Sequence, residues 1–118
     1  MTRSSLGALL VLAAAASAQD FRWPLIPIDG NDSRALAVAD FDLDGRLDFA
    51  TAQWGSDDVS VVLAAPGGGY EPPINLPDGK EFSDIGTGDF DLDGRPDLVA
   101  TNRLDPWLRI FDNASGWT

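Results

Sequence analysis

Apolar residues in this chain come in short runs separated by turn formers, with one exception near the start. The exception is Leu6 to Ala16, a stretch of mostly Leu and Ala that follows Arg3 and leads into Ala16-Ser17-Ala18. A basic residue, an apolar run and small residues in that order predict a signal peptide over residues 1–18, cleaved before Gln19. The run is shorter than the roughly 20 residues that cross a hydrocarbon core, so export is expected rather than anchoring, with no membrane span left after cleavage. Beyond an N-terminal segment at 19–34, the runs read as strands. Ala35–Ala39 and Phe49–Ala52 are small and apolar, Val59–Ala65 is β-branched, and Tyr70–Leu76 follows the turn Pro66-Gly67-Gly68-Gly69. Helices fit badly: Gly86 and Gly88 would each cost a helix about 1 kcal/mol relative to alanine. The pattern predicts an all-β chain.

The pattern also repeats. Asp40-Phe-Asp-Leu-Asp-Gly-Arg-Leu-Asp48 recurs as Asp89-Phe-Asp-Leu-Asp-Gly-Arg-Pro-Asp97, eight of nine residues identical at an offset of 49. Weaker similarity continues outside it, pairing Leu36 with Ile85, Phe49 with Leu98, Val61 with Ile110 and Val62 with Phe111. A period of this size marks a propeller or solenoid array. It divides the chain into a first unit at 35–82 and a second at 83–118.

Charge sharpens the picture. Nineteen acidic residues oppose eight basic ones, for a net charge of −11, one unit more negative once Arg3 leaves with the leader. Nucleic acid is excluded as a partner, since phosphate binding needs a basic surface. Eight of the nineteen acids lie in the two nine-residue segments, where so dense a charge calls for a counter-charge. Asp40, Asp42, Asp44 and Asp48, and again Asp89, Asp91, Asp93 and Asp97, stand at positions 1, 3, 5 and 9 of a loop that must curl around one point. A hard divalent cation supplies that point. Calcium takes about six to eight oxygens at about 2.3–2.6 Å in a forgiving geometry. Gly45 and Gly94 at position 6 permit the sharp reversal, after which the carbonyls of Arg46 and Arg95 can face inward as further ligands. Magnesium insists on a near-ideal octahedron, and zinc prefers His or Cys, which the chain lacks. Random acidic turns do not repeat the glycine and all four aspartates in register. An EF-hand would need an acid at position 12 and helices on both sides, but position 12 is Thr51 or Ala100.

Without histidine or cysteine the familiar nucleophile–base pairs are missing. A glycosidase-type acid pair would have to come from aspartates already accounted for by metal, or from Glu71, Glu81, Asp57 and Asp58, which show no pattern. The expectation is therefore not an enzyme. Trp23, Trp54, Trp107 and Trp117 read as apolar payloads packed between strands or sheets rather than as stacking platforms. Asn31-Asp32-Ser33 and Asn113-Ala114-Ser115 match the N-glycosylation pattern and read first as turns.

The unit Leu36-Ala-Val-Ala-Asp40-Phe-Asp-Leu-Asp-Gly-Arg-Leu-Asp48-Phe-Ala50, then Val59-Ser-Val-Val-Leu63, then Gly67-Gly-Gly-Tyr70, resembles the FG-GAP and VCBS repeats of integrin α-subunit propellers and many secreted bacterial proteins. The resemblance runs from about Ala35 to the C-terminus. It implies blades of four antiparallel strands whose aspartate loop links two neighbouring strands and binds calcium through the aspartates named above. A propeller closes with about four to eight blades, whereas this chain holds about two units, the second stopping at Thr118. The expected architecture is an incomplete β-propeller that needs further blades or other chains to close. Two functions fit it: a secreted module whose structural calcium supports protein or glycan binding, or a scaffold or spacer with no ligand of its own.

Overall fold

The computed structural model describes residues 25–28, 30–78, 80–104 and 106–117. The expected signal peptide, its cleavage site and Trp23 lie outside the described residues.

Seven strands form two antiparallel sheets. The first runs β1 (Ser33–Ala39), β2 (Asp48–Gln53), β3 (Asp58–Val62) and β4 (Ile74–Pro77), each hydrogen-bonded to the next. The second runs β5 (Phe82–Gly88), β6 (Asp97–Asn102) and β7 (Arg109–Phe111). The sequence offset is kept in space: β5 begins 49 residues after β1 and β6 begins 49 after β2. Even the register slip is repeated, between Ser33 and Ala35 and again between Phe82 and Asp84. These are two propeller-type blades that do not close a barrel, and among the described residues there is no helix.

Alternation along the strands explains how the blades meet. In the first sheet Ala37, Ala50 and Val61 are cross-strand neighbours, as are Ala35, Ala52 and Val59, so these six share a face. In the second sheet Ile85 opposes Ala100, and Thr87, Leu98 and Phe111 lie in one row. The first face packs on the second, and Ala37, Ala50, Ala52, Val59, Val61, Phe82, Leu98 and Ala100 form one buried core. Alanines on three strands let β1 approach β5 closely, while Phe82 supplies bulk and meets Phe111 edge to face at 5.8 Å. Each fully buried Val, Leu or Phe contributes about 1.5–3 kcal/mol.

Two expectations change. The strand expected over Tyr70–Leu76 is confined to Ile74–Pro77, and Tyr70 reaches only an isolated bridge to Ala64. The cause is Pro72-Pro73, which have no N–H to give the ladder. Trp107 does not pack between sheets but is 68% exposed, since β7 has no strand hydrogen-bonded beyond it among the described residues. Trp117 does pack, edge to face on Phe41 at 5.2 Å, and Trp54 lies under the guanidinium groups of Arg34 and Arg103.

Candidate metal centre

Each aspartate loop joins the first two strands of its blade. The turn is built by its own first carboxylate. Asp40 Oδ1 and Oδ2 accept the N–H groups of Asp44 (3.1 Å) and Gly45 (2.7 Å), and Asp89 accepts those of Asp93 (3.0 Å) and Gly94 (2.8 Å) in the same way. Gly45 and Gly94 adopt φ of +87°, the reversal expected of position 6. Position 4 is also left-handed, Leu43 at φ 59° and Leu92 at 60°. Leucine visits that region only at a cost of about 1–2 kcal/mol, so the loop hydrogen bonds must hold it there. Nothing in an apolar side chain signals this strain in advance.

Position 9 does more than face the loop. Asp48 is buried, and its carboxylate accepts the N–H of Phe41 and the N–H of Ala64, both at 2.8 Å. Asp97 repeats this with Phe90 (3.0 Å) and Asn113 (2.8 Å). One carboxylate therefore ties the loop to the chain leaving the third strand of the same blade. Each oxygen keeps a lone pair for a cation.

In the second loop Asp89, Asp91, Asp93 and Asp97 each offer an oxygen, all within 4.8 Å of one another. In the first loop Asp40, Asp42 and Asp48 do so, and Asp44 is not among them. The two loops also differ at position 7. Both Asp44 and Asp93 cap the backbone N–H of the following arginine, at 2.8 and 2.9 Å. Only Asp44 is also drawn to that arginine's side chain: Arg46 Nη1 donates to it at 3.2 Å while Nη2 donates to the Pro66 carbonyl at 3.0 Å.

The electrostatics of uncompensated acids follow. Burial, reinforced by Asp48 and Asp44, raises the Asp42 carboxyl to about 6, and burial with Asp112 and Asp93 raises Asp91 to about 6. Burial also raises Asp48, against the pull of its two backbone donors. Asp44 is lowered by the Arg46 N–H. In Asp89 burial is outweighed by the Gly94 and Asp93 amides, and the net shift is downward. Oδ1 of Asp42 is buried with no hydrogen-bond partner. An orphaned buried carboxylate oxygen beside two other acids, in a set containing only oxygen donors, fits a hard divalent cation.

Other residues beside the loops carry no motif that marks them as loop neighbours. Asp112 reaches Asp91 although its counterpart in the first blade is Leu63. Glu71, which shows no pattern in the sequence, lines a groove of about 400 Å³ with Asp42, Asp44, Pro72, Ile74 and Trp117. The buried Asn113 donates from Nδ2 to the carbonyls of Phe41 (2.7 Å) and Pro96 (2.9 Å), one in each loop. A glycan on that nitrogen would replace one of its two hydrogens and so break at least one of these bonds, whereas Asn31, in the other sequon, is exposed.

Stacked antiparallel blades, each carrying an acidic loop between its first two strands, define a propeller-type repeat with candidate metal loops. The chain belongs to the FG-GAP-like repeat family, whose model matches residues 40–100, just over half of the sequence. No curated protein and no solved structure matches it.

Proposed function

We propose that the chain is an exported, non-catalytic calcium-binding module in which each aspartate loop holds one ion and the ions stiffen the blades for protein or glycan binding. The observation that carries this reading is the convergence of four carboxylates in the second loop within 4.8 Å. An all-oxygen set of that kind matches calcium better than zinc or magnesium. The leader around Arg3 and Leu6–Ala16 supports export. The groove beside the first loop, with Trp117 on one wall and three carboxylates, supports ligand binding at that end of the blades.

Isothermal titration with calcium tests the central claim. About two ions per chain are expected, and the Asp42→Ala, Asp91→Ala double variant, which removes one converging carboxylate from each loop, should lose both. Unchanged stoichiometry in that variant would overturn the assignment. A glycan or protein array probed with and without chelator separates the binding module from a scaffold with no ligand, since only the former gives a chelator-sensitive signal.

A further inference from the structure

The groove of about 400 Å³ beside the first loop is made by both blades. Asp42 and Asp44 come from the loop, Glu71 and Pro72 from the chain leading to β4, and Trp117 from the tail of the second blade. The joint inside the chain therefore forms it, whichever outer faces of the blades are covered. Trp117 is held in its wall by strained backbone: φ is 56°, uncommon for a bulky residue, and the ring is fixed edge to face on Phe41. The repeat has Gly68 at this place in the first unit, at φ 99°, so the second unit sets an indole where the conformation suits glycine. Strained conformations of this kind cluster at binding sites.

The lining selects a cation. Ionised carboxylates only accept hydrogen bonds, the indole N–H of Trp117 is the one side-chain donor among the described lining residues, and no basic side chain is among them. A bound calcium would not cancel this charge. The carboxylates of Asp40, Asp42, Asp44, Asp48 and Glu71 stand against the Arg46 guanidinium and one divalent ion, which leaves two negative charges. The chain itself shows which cation suits such surroundings: Arg46 spans Asp44 and the Pro66 carbonyl at the groove, and the Arg34 guanidinium lies 4.9 Å from the Trp54 ring centroid. We propose that the groove takes an arginine side chain from a partner protein, its guanidinium stacked on Trp117 and paired with Glu71 and its stem along Pro72 and Ile74. This names the ligand of the groove and rests on the ligand-binding part of the proposed function, not on the calcium. Arginine suits the site better than lysine because its planar fork meets a carboxylate bidentately and stacks on an aromatic face. A sugar, with as many acceptors as donors, finds few partners for its acceptors here.

NMR titration of the isotope-labelled full chain in calcium-containing buffer tests this, because chemical shifts report even the weak binding of one side chain. The probes are end-blocked glycine peptides with a single central arginine, lysine or citrulline, the last a neutral isostere of arginine. The arginine peptide should shift the Trp117 indole N–H and the Glu71 and Ile74 amides saturably, the lysine peptide less, and the citrulline peptide not at all. Glu71→Gln, a change at an exposed side chain, should weaken the arginine peptide by about fivefold, near the upper end for a solvent-exposed ion pair. Trp117→Gly, which puts there the residue of the first unit, should remove the shifts at Glu71 and Ile74. No groove shifts with the arginine peptide, equal shifts with citrulline, or an affinity unchanged by Glu71→Gln overturn the proposal. So does maltohexaose saturating the same resonances more tightly, which would make this a glycan site. Calcium is followed in the same spectra through Gly45 and Gly94. Shifts at these glycines with none at the groove overturn the arginine site alone, whereas groove shifts without a calcium response at the glycines support it and count against the metal.

Discussion

The side-chain amide of Asn113 donates to the carbonyl oxygen of Phe41, 2.7 Å away and 72 residues earlier in the chain. Phe41 is the second residue of the first loop and Asn113 lies just beyond the last strand of the second blade, so the bond closes the two blades onto each other near the metal-loop end. The same nitrogen donates to Pro96 in the second loop, and the Asn113 backbone N–H is held by Asp97. A single residue thereby reports on both candidate sites.

Asn113→Ala should be costly out of proportion to its size. It leaves the Phe41 and Pro96 carbonyls without their donor, and each unsatisfied buried group costs about 1–3 kcal/mol. Urea unfolding should show a loss in that range or above, with the slope unchanged. A loss below about 0.5 kcal/mol, the scatter of ordinary surface changes, would mean that the bond does not hold the blades together.

The two loops, nearly identical in sequence, should not bind metal equally. Asp93 converges with all three of its neighbours, while Asp44, within reach of Asp42 and Asp40, falls outside the converging set of the first loop and also accepts from the Arg46 side chain. Asp93→Ala should therefore weaken calcium binding at its loop by about tenfold or more, equivalent to about 1.4 kcal/mol, and Asp44→Ala by less. Arg46→Ala should tighten the first site by releasing Asp44. Single-site titration of each variant checks the order, and equal losses from Asp44→Ala and Asp93→Ala would contradict it.

Much of this was legible because the repeat carries its own control. Where both units share a residue, as at Asp40 and Asp89 or Gly45 and Gly94, the geometry repeats to within a few tenths of an ångström in the hydrogen bonds and identically in φ at the glycines. The strand positions in the first blade followed, apart from their ends, from apolar runs and turn residues. Other features were hidden because they depend on what lies across the joint. Asn113 replaces Ala64, and Asp112 replaces Leu63, with no local pattern to mark either as a neighbour of a loop. The role of Asp48 as a backbone clasp was hidden for another reason: its place in the loop motif already explained it as a ligand, and burial cannot be read from that motif. Trp107 was misjudged because an aromatic payload packs only if something covers its strand.

Gly116 gives a cleaner test of that joint. Its φ is +77°, and a Cβ there would lie 3.0 Å from Asp42 Cα, a backbone atom that cannot move aside. Gly45 has a similar φ of +87° with nothing within 4 Å of a built Cβ. Gly45→Ala should cost only the left-handed strain of about 1–2 kcal/mol, and Gly116→Ala should cost clearly more. Thermal melts of the two variants side by side measure the difference, which is the contribution of contact between the second blade's tail and the first loop. Equal shifts would show that the tail does not rest on Asp42.

Proton and calcium should compete for the same oxygens. Asp42 and Asp91 sit at about 6, above the unfolded value of 3.8, because burial and neighbouring carboxylates penalise the charged form. For a carboxyl raised on folding, the folded state holds the extra proton, so its contribution to stability is greatest at low pH and is lost as pH rises from about 4 through about 6. Asp48, raised by burial, acts in the same direction. Asp44 and Asp89 are lowered and act oppositely, but only as pH falls below the ordinary carboxylate range. Without metal, therefore, melting temperature should fall as pH rises from about 4 through about 6 and level off above that. Calcium binds the ionised carboxylates and must displace those protons, so its apparent affinity should rise over the same interval and level off above it. The gap between melting temperatures in calcium and in chelator should consequently widen as pH rises, by the linkage of binding to folding. Asp42→Asn and Asp91→Asn each remove one titrating group and should flatten the profile of the chelated protein. A calcium-dependent shift that is the same at pH 5 and pH 7.5 would mean that the ion does not take the place of these protons.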